Sequence, residues 1–148
     1  MSLKARIQED VKNAMRAQER GRLAVLRLVS AAIKQKEVDE RVELDDTQVL
    51  AVLEKMVKQR RESLEQYRKA KRSDLADQEQ YELDIIQGYL PEPLGEDELA
   101  RIISETINEL GASSVRDMGS VMNALRDKVQ GRADMKAVSQ VVKNQLMA

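Results

Sequence analysis

Arg126, Lys128, Arg132 and Lys136 crowd one stretch near the end of the sequence, around Gly131 and Asp134. Cations gathered where one helix stops and another starts are the pattern of a phosphate site. Their charge neutralises the anion, and the first-turn N–H groups of the second helix point at it. Gly131 gives the backbone freedom such a corner needs, and Asp134 is placed to cap the helix that follows. Asp127 and Asp134 offset part of the charge, so the plain alternative is a corner of a small helical bundle with no ligand. A second basic grouping fills residues 58–72, with seven Lys or Arg against two Glu. Arg60, Arg61, Arg68 and Lys69 are its candidates for contact with an RNA backbone. Against that, a helix spreads these side chains around its circumference, and Glu65 and Lys69 have the i, i+4 spacing of a solvated surface pair.

Other chemistry is limited by what the chain lacks. It has no Cys, which excludes disulfides and thiolate chemistry, and no His, the commonest general base and zinc ligand. Carboxylates group at Asp39-Glu40, Asp45-Asp46 and Glu79/Glu82, but at helix starts or on polar faces, where capping and solvation account for them. A serine nucleophile would need an activating base, and no Ser lies in a Gly-rich elbow. A G-x-x-x-x-G-K phosphate loop is absent. No catalytic residue, metal site or cofactor is therefore expected for this chain on its own. The net charge of −1 means that any electrostatic recognition must come from local patches.

These side chains must be positioned by helices. Apolar residues make up 42% of the chain, too many for a disordered one, and aromatics only 2%, so the core must be aliphatic. Leu3, Ile7, Val11, Ala14 and Gln18 share one face of a first helix, which Gly21 is expected to break or bend. Leu23 to Val38 is apolar over a broad arc, Val25, Leu26, Leu28, Val29, Ala32 and Ile33. Asp45, Asp46 or Thr47 caps a third helix with Val49, Leu50, Val52, Leu53, Met56 and Val57, thinning later to Leu64, Tyr67 and Ala70. Ser73 is expected to cap a fourth, with Leu75, Glu82, Ile85, Ile86 and Tyr89. Pro91 and Pro93, the only prolines, cannot both lie inside a regular helix and mark a boundary. Beyond it, Leu99, Ile102, Ile103, Thr106, Ile107 and Leu110 predict one short helix ending at Gly111. Met118, Val121, Met122, Leu125 and Val129 predict a second. Val138, Val141, Val142 and Leu146 predict a third.

The pattern Met118-Gly119-x-Val121-Met122-x-x-Leu125-x-x-Lys128-Val129-x-Gly131-Arg132-Ala133-Asp134-x-Lys136-x-Val138-Ser139-x-x-Val142-x-x-x-Leu146 resembles the C-terminal tail of the GatB/YqeY family. Upstream, Leu23-x-Val25-Leu26-Arg27-x-x-x-x-Ala32-x-Lys34 and Ile86-x-x-Tyr89-Leu90-Pro91 resemble its stand-alone YqeY branch. The chain departs from that pattern at Ser120 and Met135. The same tail ends the B subunit of the glutamine-dependent tRNA amidotransferase, where it contacts the outer corner of tRNA. By position the resemblance makes Lys128, Arg132 and Lys136 the RNA contacts, with Gly119 and Gly131 enabling the backbone. It does not bring the catalytic body of that subunit, so a label of carbon–nitrogen ligase with glutamine as amido-N-donor would be inherited.

An all-α chain is expected, with an N-terminal helical domain over residues 1–92 and a three-helix tail domain over 93–148. The leading expectation is an accessory protein that binds tRNA or another structured RNA. Alternatives are a part of tRNA amidation acting with amidotransferase subunits, and a protein-interaction module in which the broad second helix is partly exposed. No apolar run approaches the ~20 residues of a membrane span, and the N-terminus lacks the apolar stretch of a secretory signal. A soluble, cytoplasmic protein with no membrane partner is expected on those grounds.

Overall fold

The Ser2 hydroxyl accepts from the Ala5 N–H at 3.1 Å and so starts the first helix, α1 (Leu3–Arg16), in this computed structural model, which describes residues 1–129 and 131–148. α2 (Arg20–Glu40), α3 (Asp46–Lys69) and α4 (Ser73–Gln87) follow, then α5 (Glu96–Leu110), a 3₁₀ turn (Val115–Asp117), α6 (Met118–Val129) and α7 (Met135–Met147). Every element among the described residues is helical. None of these helices is long and apolar enough to cross a membrane. The chain divides into two units, Met1–Leu90 and Pro91–Ala148.

In the first unit α1 to α4 surround an aliphatic core that includes Ile7, Leu26, Val29, Val49, Leu53 and Ile86. Asp45 caps α3 in a reciprocal box, its carboxylate accepting from the Gln48 N–H at 2.9 Å while the Gln48 side chain accepts from the Asp45 N–H at 3.0 Å. Asp46 accepts from the Leu3 N–H at 2.9 Å, tying the start of α1 to the start of α3. Glu37 joins three segments: it accepts from Lys4 Nζ at 2.8 Å and from the Leu44 N–H at 2.9 Å.

The structure departs from four local expectations. The break between α1 and α2 falls at Gln18, whose φ is 56°, and not at Gly21, which lies within α2. A Cβ at Gly21 would approach the Tyr81 hydroxyl to 3.1 Å, so a larger residue there would need Tyr81 to shift slightly. The N-cap of α4 is Arg72 and not Ser73. Arg72 grips the Asp74 carboxylate with two hydrogen bonds, at 3.2 and 3.1 Å. Leu28, placed on the apolar arc of α2, is 47% exposed, and Leu110 is 49% exposed.

In the second unit α5, α6 and α7 enclose Leu99, Ile103, Val121, Leu125, Val129, Val138, Val142 and Leu146. Ser114 and Asp117 form a capping box around the 3₁₀ turn and lead the chain into α6. Gly119, expected as a turn glycine, instead lies in the first turn of α6, with nothing within 4 Å of where a Cβ would be. Among the described residues of this unit the left-handed positions are Gly111, at φ 64°, and Gly131, at φ 77°.

Candidate nucleic-acid interface

The C-terminal corner is built by α6 ending, Gly131 reversing the chain, and α7 beginning. Val121, Leu125 and Val129 bury one face of α6, and Val138, Val142 and Leu146 bury one face of α7. The cations of the corner therefore project from what remains of each helix. Arg126 and Lys128 are two residues apart, which on a helix sends them in nearly opposite directions.

Lys128 turns toward α5. Its Nζ donates to Thr106 Oγ1 at 2.9 Å and to Glu109 Oε2 at 3.1 Å. Thr106 is only 1% exposed and donates its own proton to the Ile102 carbonyl at 2.8 Å. The ammonium thus satisfies the acceptor side of a buried hydroxyl, a packing role that leaves less of its charge for a ligand. Arg132 is half-buried and also engaged within its own unit. Its Nε donates to the Glu92 carbonyl at 3.1 Å, and its carbonyl accepts from the Leu94 N–H at 2.8 Å. Those two bonds clasp the corner to the extended segment that precedes α5.

Arg126 and Lys136 differ from both. Their side chains are exposed and have no hydrogen-bond or ion-pair partner among the described residues. Asp134 caps α7 as expected, accepting from the Lys136 N–H at 3.2 Å. It also sets a carboxylate at the end of the helix where the first-turn amides were expected to be open to phosphate.

The basic ridge of α3 divides in the same way. Arg60 points inward, its guanidinium donating to the Met56 carbonyl at 3.3 Å and lying 4.0 Å from Glu82. Glu79 stands nearby, its carboxyl raised above the ordinary range by burial first and by the Glu82 charge second, with Arg60 opposing both. Arg61, Arg68 and Lys69 point outward and, with Leu64 and Glu65, line an open groove of about 450 Å³. Lys69 is paired with Glu65 at 3.2 Å, and Arg68 reaches Gln80 at 3.5 Å. Arg61 is exposed with no such partner among the described residues. The ridge belongs to the first unit and the corner to the second.

One polar site has no counterpart in the sequence expectations. Arg6, Asp10, Arg22, Tyr81, Asp84 and Tyr89 line a cleft of about 270 Å³ in the first unit. The Tyr89 hydroxyl donates to Asp10, and the Arg6 guanidinium lies 5.0 Å from the centre of the Tyr89 ring. Burial, then the bond to Asp10, pushes the Tyr89 hydroxyl well above its usual range, so it stays a donor. The two arginines and two aspartates balance in charge, which suits a structural clamp between α1, α2 and α4. Tyr89 was visible in the sequence within Ile86-x-x-Tyr89-Leu90-Pro91, but its partner is 79 residues away.

A family model described as Yqey-like protein matches residues 4–146. A protein of Pyrenophora tritici-repentis named altered inheritance of mitochondria protein 41, mitochondrial, is 32% identical over 140 residues, covering 93% of this chain and 77% of that one. The protein of the same name in Lachancea thermotolerans is 34% identical over 113 residues, covering 74% of this chain and 60% of its own. That of Eremothecium gossypii is 38% identical over 87 residues, covering 58% and 48%. This chain thus spans about three-fifths of the length of one of the last two and about half of the other. The cytoplasmic expectation is overturned by these relatives, which are named mitochondrial. It rested on the lack of an apolar stretch, and mitochondrial targeting segments are amphipathic and Arg-rich, so that test was blind to them.

Proposed function

The chain belongs to the Yqey-like protein family, and from that premise we propose that it binds structured RNA, tRNA foremost, by phosphate contacts at the corner between α6 and α7. The observation that carries this reading is the uncommitted pair Arg126 and Lys136, exposed on either side of Gly131 while the neighbouring Lys128 and Arg132 are spent on internal bonds. The finer relation, of the last three helices to the tail of the tRNA amidotransferase B subunit, is part of this proposal and supplies the ligand class. Arg126 and Lys136 neutralise phosphates of the RNA backbone, and Arg61 on α3 offers a further contact. Recognition is by shape and charge, because a chain with three Tyr and no Phe or Trp has few platforms for base stacking.

The test is fluorescence anisotropy with deacylated total tRNA at several salt concentrations, against duplex DNA of similar length. Binding of about micromolar affinity or tighter, weakening steeply with salt, is expected. Arg126→Glu with Lys136→Glu should reduce the magnitude of the salt slope by about two and cut affinity more than tenfold. Lys128→Met is the control and should cost stability rather than affinity. Equal loss of tRNA binding in the control and the double variant would refute the assignment of contacts; no tRNA binding at low salt would refute the function.

A further inference from the structure

The outward side of α2 carries a pattern used neither by the core nor by the RNA reading. Ala24, Leu28, Ala31, Gln35 and Val38 succeed one another at alternating steps of four and three residues, and all are exposed. Leu28 is 47% exposed and Val38 63%. The core stripe of the same helix, Val25, Leu26, Val29 and Ile33, is buried and lies on the opposite side. An average step of 3.5 residues is the period of a coiled-coil seam. This seam runs about 21 Å along the helix at 1.5 Å per residue. One of its borders is uniformly basic: Arg20, Arg27 and Lys34, each seven residues from the next, have exposed side chains without a hydrogen-bond or ion-pair partner among the described residues. The other border turns into the protein at Val25, which is buried, and Ala32, which packs on the core, and ends at the exposed Asp39.

We infer that this face of α2 docks an amphipathic helix of another protein, one that presents Asp or Glu along the edge facing Arg20, Arg27 and Lys34. Charge decides the occupant. A second copy of this chain lying antiparallel would bring the basic border against itself, and like charges there oppose pairing. A parallel second copy would set Arg20 and Arg27 against Val25 and Ala32, which its own core occupies, and only Lys34 would meet an exposed acid, Asp39. A lipid surface wants large apolar side chains on the inserted face, and here Leu28 and Val38 alternate with two alanines and a glutamine. Alanines at alternate seam positions instead let a partner backbone come close. Gln35 is held in place by its hydrogen bond to Asp39 at 2.9 Å and sets a polar point in the seam, the feature by which coiled coils fix register.

The inference stands apart from the RNA reading, and its test uses no RNA. Two fluorescein-labelled peptides of about three heptads, with Leu at the seam positions and either Glu or Lys on both borders, are titrated with the full chain. Each peptide repels itself, so each enters the titration unassociated. The Glu-bordered peptide should bind at least about tenfold tighter than its Lys-bordered twin. Leu28→Glu with Val38→Glu should remove that binding with the far-UV circular dichroism unchanged, since both positions are exposed. Arg27→Glu with Lys34→Glu should reverse the preference, while Arg126→Glu with Lys136→Glu should leave it as it was. Equal affinity for the two peptides, binding to neither, or an unreversed preference in the charge-swapped chain would overturn the proposal. So would capture by phosphatidylserine vesicles in place of peptide, or a dimer in light scattering that Leu28→Glu dissolves; the first would make the face a membrane contact and the second a self-contact.

Discussion

The two units of this molecule turn their corners with different residues. In the first, the chain leaves α1, α2 and α3 through Gln18, Arg41 and Lys71, all left-handed, at φ of 56°, 55° and 56°. In the second it leaves α5 and α6 through Gly111 and Gly131, at 64° and 77°. A side chain in that region costs roughly 1–2 kcal/mol, and glycine avoids the cost. Among the described residues the apolar cluster of the first unit holds 17 buried residues and that of the second eight, and a larger core is expected to leave more margin for three left-handed side chains. On this reading glycine is placed where a unit has little stability to spare, whatever the number of corners it makes. A unit near the lower size limit for independent folding has little to spare.

A cavity in each core should separate the two units most strongly. Leu53 and Leu125 are both fully buried. Leucine to alanine at either site should cost about 2–5 kcal/mol. Leu125→Ala takes that from the smaller cluster, so in the full chain limited proteolysis should cut within residues 91–148 of this variant well before it cuts within 1–90 of Leu53→Ala. Equal protease resistance of the two variants would show that core size does not set the margin.

The corners themselves come next. Gly111 has nothing within 4 Å of where a Cβ would be, so alanine there meets no neighbour and is penalised by backbone conformation alone. Gly111→Ala should lower stability by about 1–2 kcal/mol. The mirror change, Gln18→Gly, relieves a strained corner but loosens the unfolded chain, for a net gain of at most about 1 kcal/mol. Thermal melts of the two single variants read both signs. A Gln18→Gly chain no more stable than its parent would mean that the first unit pays nothing for its corners.

The same contrast explains how much could be read from the sequence. The second unit was legible in detail: Gly111 and Gly131 mark its helix ends, Asp134 its last cap, and its apolar residues recur at helical spacing. In the first unit the helices and the Asp45 cap were equally plain, but the break at Gln18 was not, because a polar residue in the left-handed region carries no marker of the kind that glycine provides. The candidate site divides likewise. That Arg126, Lys128, Arg132 and Lys136 cluster is a property of the chain order. That Lys128 is spent on Thr106, 22 residues away, and Arg132 on Glu92, 40 residues away, depends on packing that order does not encode. Arg60 was grouped with Arg61 for the same reason, and only the fold of α4 against α3 sets it facing Glu82.

The smallest effect separates the units by the kind of electrostatics each uses. Glu37 in the first unit is held below the ordinary carboxylate range chiefly by its hydrogen bond from Lys4, and then by the Leu44 amide. Asp117 in the second is held low by backbone amides alone, those of Ser113 at 2.9 Å and Ser114 at 3.2 Å. Both carboxylates release their proton more readily folded than unfolded. Each therefore adds stability that is fully present above the ordinary carboxylate range and is lost as pH falls through the lowered value. The gap between the parent and Glu37→Gln, or Asp117→Asn, should accordingly close on acidification. Salt should tell the two apart at neutral pH. Mobile ions screen the Lys4 ammonium, while amides pinned at a 3₁₀ turn keep their dipoles on the carboxylate. Added salt should narrow the Glu37→Gln gap and leave the Asp117→Asn gap nearly unchanged in chemical denaturation, and equal narrowing in both would mean that Asp117 too is stabilised by a side-chain charge that salt can screen.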